Sequence, residues 1–142
     1  MNFKEYPRLG ERVYEQRLEN GLLVRVVVKP GFAKTYGFLA VDYGSIDTAF
    51  SVNGVAHTSP MGVAHYLEHK MFDLPGGGSA MQEFSRYGGN PNAFTSYDIT
   101  AYHVECTDHV LENLAILLDF VHTPYFTTES VEIGRASCRE RV

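Results

Sequence analysis

The chain has no long hydrophobic run. Over 142 residues the longest uninterrupted apolar stretch, Leu114 to Leu118, covers five positions, against the roughly 20 that a membrane-spanning helix needs. No membrane association is therefore expected. The opening Met1-Asn2-Phe3-Lys4-Glu5-Tyr6-Pro7-Arg8 lacks the apolar centre of a secretory leader, so a cytoplasmic location is the expectation. Basic clusters are missing as well. With 12 Lys+Arg against 17 Asp+Glu and a net charge of −5, the footprint of a nucleic-acid binder is absent, and no nucleic-acid partner is expected. Cysteine is scarce: Cys106 and Cys138 read as two free thiols rather than a bridge. What is present is ordinary for a soluble globular chain, 44% hydrophobic and 20% charged, which excludes disordered and collagen-like classes. The length suits one compact domain or a piece of a larger one.

Ile133 to Val142 stand apart from the rest. Their sequence is what a widely used short-read sequencing adaptor encodes, so residues 133–142 are expected to be a non-native tail. Residues 1–132 then read as the N-terminal part of a truncated domain.

Glu11 to Leu18 and Leu22 to Lys29 flank Glu19-Asn20-Gly21, and Asn-Gly between two such runs is the strongest short hairpin signal. With a third β-prone run from Tyr36 to Tyr43, the spacing predicts an antiparallel meander. Ser59-Pro60 reads as an N-cap followed by proline in the first turn of a helix running to Met71 or Phe72. Pro75-Gly76-Gly77-Gly78 reads as a loop, since no Gly-Lys-Ser/Thr follows that would make it a phosphate cradle. Ser79-Ala80-Met81-Gln82 fits a capping box opening a second helix through Tyr87, stopped by Gly88-Gly89. Ala93 to Tyr97 and Ile99 to Cys106 read as strands. A third helix is predicted from Asp108 to His122, with Val110, Leu111, Leu114, Leu117, Leu118 and Val121 as its buried stripe. Thr127 looks like the N-cap of a fourth. Strands followed by mixed helices and strands argue for an α+β fold, a two-layer sandwich of mainly antiparallel sheet with helices on one face.

The chemistry concentrates in the first helix, which reads His65-Tyr66-Leu67-Glu68-His69. At about 100° per residue, His65, Glu68 and His69 fall on one face and Val63, Leu67 and Met71 on the opposite one. Two histidines one turn apart can aim their imidazoles at a common point, as a zinc ion requires, and the carboxylate beside them can take a proton from water. A chain of this composition contains only about 0.02 such matches by chance. A solvated helix face without metal is the plainer alternative. His57, His103, His109 and His122 show no ligand spacing, and Cys106 reads as a buried structural thiol.

The inverted His-x-x-Glu-His motif marks the inverzincins, and Gly62 to Phe72 resembles the insulinase/pitrilysin family of zinc peptidases, most of all its Gram-positive bacterial zinc proteases. Asn92-Ala93-Phe94-Thr95-Ser96-Tyr97, Thr100-Ala101-Tyr102 and Asp119-Phe120 through Pro124-Tyr125-Phe126-Thr127 are similar to that family's later segments. By this resemblance His65 and His69 are zinc ligands, Glu68 is the general base, and Asn92 with Ala93 belongs to the strand lining the substrate cleft. The family's third ligand is a glutamate roughly seventy-odd residues past the second histidine, on the helix that Thr127 begins. It is expected to be missing here, and Glu140 is not assigned the role. A homologous second domain or partner subunit that closes over the substrate is also implied. The expected function is zinc-dependent hydrolysis of peptides or unfolded polypeptide segments by metal-activated water, with this chain by itself inactive. The alternatives are a non-catalytic scaffold of the same fold and a partner domain that holds peptide by strand addition; the intact trio favours the first reading.

Overall fold

The computed structural model describes residues 2–132; the chain divides into two units, Met1–Ala33 and Lys34–Val142. The tail expected over residues 133–142, Glu140 included, lies outside the described residues.

The first unit is a meander of β1 (Asn2–Tyr6), β2 (Glu11–Arg17) and β3 (Leu23–Val27), paired in that order and antiparallel. The Asn20-Gly21 signal makes the expected turn. Gly21 takes φ 90°, its N–H donates to the Leu18 carbonyl at 2.9 Å, and Leu18 N–H donates to the Leu22 carbonyl at 2.8 Å. The third strand is not the expected one. β1, which precedes the hairpin, completes this sheet, whereas the Tyr36–Tyr43 run belongs to the second unit.

In the second unit the chain runs β4 (Thr35–Val41), β5 (Ala49–Val52), β6 (Val55–Thr58), α1 (Val63–Lys70), α2 (Ala80–Arg86), β7 (Asn90–Thr95), β8 (Thr100–Cys106) and α3 (Val110–His122). β8 lies between β4 and β7, antiparallel to both, with Thr35 opposite Cys106 and Thr95 opposite Thr100. Alternation along β8 turns Thr100, Tyr102, Val104 and Cys106 to one buried side. There Tyr102 and Val104 pack with Ala80 and Phe84 of α2 and Leu117 and Phe120 of α3. Phe120 stacks on Phe72 at 5.1 Å between ring centroids and meets Phe84 and Tyr102 edge-on at 5.8 and 5.6 Å. These are the offset and perpendicular arrangements that aromatic quadrupoles favour. The opposite side of the same sheet carries Tyr36, Phe38 and Phe94, all exposed. The fold is thus α+β, antiparallel sheet with helices on one face.

Several local expectations shift. Ser59 does not cap α1: its N–H donates to the Thr48 carbonyl at 2.9 Å and its hydroxyl faces the Asp47 carbonyl, so the chain turns instead and Gly62, at φ 88°, precedes the helix. Asn53 and Gly54, both at positive φ, close the β5–β6 hairpin, a second Asn-Gly turn of the kind the first illustrates. The buried stripe of α3 is Asn113, Leu117 and Phe120, while Leu111 and Leu118 are exposed. Asn113 tolerates burial because its amide donates to the carbonyls of Tyr87 and His109 at 3.2 and 2.9 Å. Ser79 caps α2, accepting from Met81 N–H at 3.3 Å, but without the reciprocal Gln82 bond of the expected capping box. Thr127 also caps as expected: residues 128–132 are helical, Ser130 N–H donates to Thr127 Oγ1 at 3.1 Å, and Thr127 N–H donates back to Ser130 Oγ at 3.2 Å.

Candidate active site

α1 forms because Val63 to Lys70 contains neither glycine nor proline, and its last turn carries His69 and Lys70, the charge sign the helix C-terminus favours. His65 and His69 lie one turn apart on the exposed side, with Nε2 atoms 3.0 Å apart and ring centroids 4.7 Å apart. Two nitrogens at that separation can both reach one ion at about 2.0–2.1 Å. Their chemistry suits the same conclusion: with neither nitrogen protonated, two lone pairs face each other, and a cation between them removes the repulsion. The pair therefore fits a zinc ion. Among the described residues no group of three or more His, Cys, Asp or Glu side chains comes together to hold a metal.

Glu68 departs from its expected place. It is only 7% exposed, so the polar trio is split: two histidines outward, the carboxylate turned toward the sheet. The reason is Thr95 on β7, whose hydroxyl donates to Glu68 Oε2 at 2.8 Å. Thr100, opposite Thr95 in the ladder, donates its own hydroxyl proton to the Tyr43 carbonyl at 2.9 Å. Burial and the nearby Glu68 charge push the Tyr102 phenol up to about 12. Cys106 is buried as expected, and its thiol is raised, first by burial and then by Asp108.

Asn92 and Ala93 lie on β7, the same strand as Thr95. Among the described residues β7 pairs with β8 alone, so its other edge is open. Ser96 N–H donates to the Ile99 carbonyl at 2.8 Å; counting back along an antiparallel ladder from that pair turns the backbone groups of Thr95 and Ala93 toward the open edge. Pro91 falls in the same phase, where its missing N–H leaves the ladder intact. Ala93 N–H is held by Asn92 Oδ1 at 2.9 Å.

Sequence reasoning gave no role to three neighbours. Thr95 could have been found from β alternation, which puts it on the same side as Ala93. Lys70, 6% exposed and ion-paired with Asp73, ties the end of α1 to the loop before α2. Tyr66 Oη donates to the Val131 carbonyl at 2.6 Å, linking α1 to the helical segment that Thr127 opens. No spacing in the sequence marks either contact.

The site is a helix with paired histidines in an α+β layer, beside a strand with one open edge. The insulinase family profile (peptidase family M16) matches residues 29–142, and the chain belongs to that family. It is 46% identical over 131 residues to the uncharacterized zinc protease YmfH of Bacillus subtilis, covering 90% of this chain and 30% of YmfH. It is 34% identical over 140 residues to the mitochondrial-processing peptidase subunit beta of Dictyostelium discoideum, covering 92% of this chain and 27% of that one. The crystal structure of an M16-like peptidase from Alicyclobacillus acidocaldarius superposes with a TM-score of 0.88 at 35% identity, over 98% of this chain and 32% of that one. The chain thus spans about a third of the length of these three relatives.

Proposed function

We propose that this chain is the N-terminal part of a zinc-dependent metalloendopeptidase, with residues 1–132 native and 133–142 foreign to the protein. The observation that carries the reading is the convergence of His65 and His69 Nε2 atoms at 3.0 Å on the helix that also bears Glu68. In this reading His65 and His69 hold zinc, and a third ligand comes from the helix that Thr127 opens. Bound there, the ion supplies a Lewis acid that acidifies water and polarises a peptide carbonyl. Glu68 takes the proton from the attacking water and passes it to the leaving amine, as a general base and then acid. The carboxylate stays free for this because its recorded partner is a hydroxyl rather than a cation. Asn92 and Ala93 receive an extended peptide or unfolded segment along β7. A homologous domain or subunit completes the cleft, in keeping with a relative named as one subunit of a peptidase. A cytoplasmic location goes with this reading.

The test is Glu68→Gln in the full-length protein. Zinc content is expected to remain at wild-type level while hydrolysis falls by about a thousand-fold or more. Loss of zinc together with activity would make Glu68 a ligand instead. Unchanged activity would remove it from the chemistry.

A further inference from the structure

We infer that Thr95 is a positioning residue for Glu68: its hydroxyl fixes the carboxylate on the strand side of α1, so that one oxygen is held and the other is left to meet water. The inference rests on the reading of Glu68 as the base and adds to it the residue that aims it. Thr95 Oγ1 stands 2.8 Å from Glu68 Oε2. A hydroxyl has one proton and an ionised carboxylate has none, so Thr95 must be the donor. Thr100 Oγ1 stands 3.5 Å from Thr95 Oγ1, too far to compete with the carboxylate at 2.8 Å, and its own proton goes to the Tyr43 carbonyl at 2.9 Å. Thr95 therefore gives its proton to Glu68 and to no other recorded acceptor.

The support behind the hydroxyl is rigid. Threonine is stiff at χ1, and Thr95 ends β7 where the ladder opposes it to Thr100, which is only 4% exposed. Glu68 lies in a helix that packs against β7 and β8. A long carboxylate on a helix face would otherwise sample several rotamers. Here the hydrogen bond to Oε2 selects one, and Oε1 has no hydrogen-bond partner among the described residues. Because the backbone of Thr95 also faces the open edge of β7, the residue that aims the base lies in the strand that would pair with substrate.

The experiment uses the full-length, zinc-loaded protein with Thr95→Val, Thr95→Ser and Glu68→Gln, measuring kcat, KM and zinc content. Crystal structures of the wild-type and Thr95→Val proteins without zinc locate the Glu68 carboxylate independently of activity. For Thr95→Val the expectation is a kcat lower by about ten- to a hundred-fold, the range of one hydrogen bond to a charged group. KM should stay within about twofold, zinc should be unchanged, and the carboxylate should be displaced from the strand. Thr95→Ser should restore kcat. If Thr95→Val fails to fold, Thr95→Ala removes the hydroxyl without adding a methyl group and takes its place. A Thr95→Val enzyme with wild-type kcat and an unmoved carboxylate overturns the inference, while an inactive Glu68→Gln keeps the base assignment standing. A kcat loss that Thr95→Ser does not rescue, or that comes with loss of zinc, makes Thr95 merely structural and also overturns it. Full activity in Glu68→Gln overturns the base assignment alone, and the carboxylate position in the crystal then decides whether Thr95 holds it.

Discussion

The Tyr102 phenol and the Glu68 carboxylate are both buried, 4% and 7% exposed. Burial first, and the Glu68 charge second, hold the phenol up to about 12 in the folded chain, against about 10 when unfolded. Between those values the unfolded chain releases a proton that the folded chain keeps. The unfolded state then binds fewer protons, and stability falls as pH rises. The contribution is fully present below pH about 10 and is lost toward about 12, a loss of about 1–2 kcal/mol after allowing for partial solvation. Urea unfolding of this chain followed by circular dichroism at pH 9 and pH 11.5 should show that loss, and Tyr102→Phe should lack its share. Cys106, also raised by burial, changes in the same direction, so the difference between the two proteins isolates the phenol. Equal slopes in both would remove Tyr102 as the cause. The trio His65, Glu68 and His69 is legible at this scale from spacing alone. The burial of Glu68 is not, because Thr95 lies on another element 27 positions away.

Among the described residues β7 has one strand neighbour, β8, and so an open edge. Its free backbone groups at Ala93 and Thr95 are a template for an added strand, and Asn92 Oδ1 holds the Ala93 N–H in the meantime. A crystal structure of the full-length protein with a bound peptide should show the peptide paired along β7 and the Asn92 side chain turned off the Ala93 amide. A peptide bound without backbone contact to β7 would remove Asn92 and Ala93 from the substrate site. Local chemistry predicts some elements well: Ser79 and Thr127 cap their helices because nothing else claims their hydroxyls. Ser59 carries the same signal and fails, since Asp47 and Thr48 claim it first. The α3 stripe fails for a related reason. Asn113 lies inside, its amide donating to the Tyr87 and His109 carbonyls, while Leu111 is 79% exposed.

For the whole molecule, the chain as it stands is expected to show no peptidase activity. Among the described residues only His65 and His69 come together to meet an ion, fewer ligands than a catalytic zinc site has, and water near Glu68 would then be poorly oriented. The chain also covers only 30% of the length of YmfH. Incubating this chain with zinc and an unstructured peptide, alongside a Glu68→Gln control, measures it directly. Cleavage above the control would mean that the further ligand and domain are dispensable.

The sequence by itself determined the helix that carries His65, Glu68 and His69, the Asn20-Gly21 hairpin, the α2 and Thr127 caps and the α+β class, because each follows from residues within about a dozen positions of one another. Only the tertiary structure decided that β4 pairs with β8, with partners 59 to 71 positions apart in the chain. It likewise decided that β1 completes the first sheet, and that Glu68 turns inward to Thr95 while the histidines stay out. Strand partners are chosen by which faces can be buried together, and a buried carboxylate is tolerated only where another segment brings a donor. Neither condition is written at the position where its effect appears.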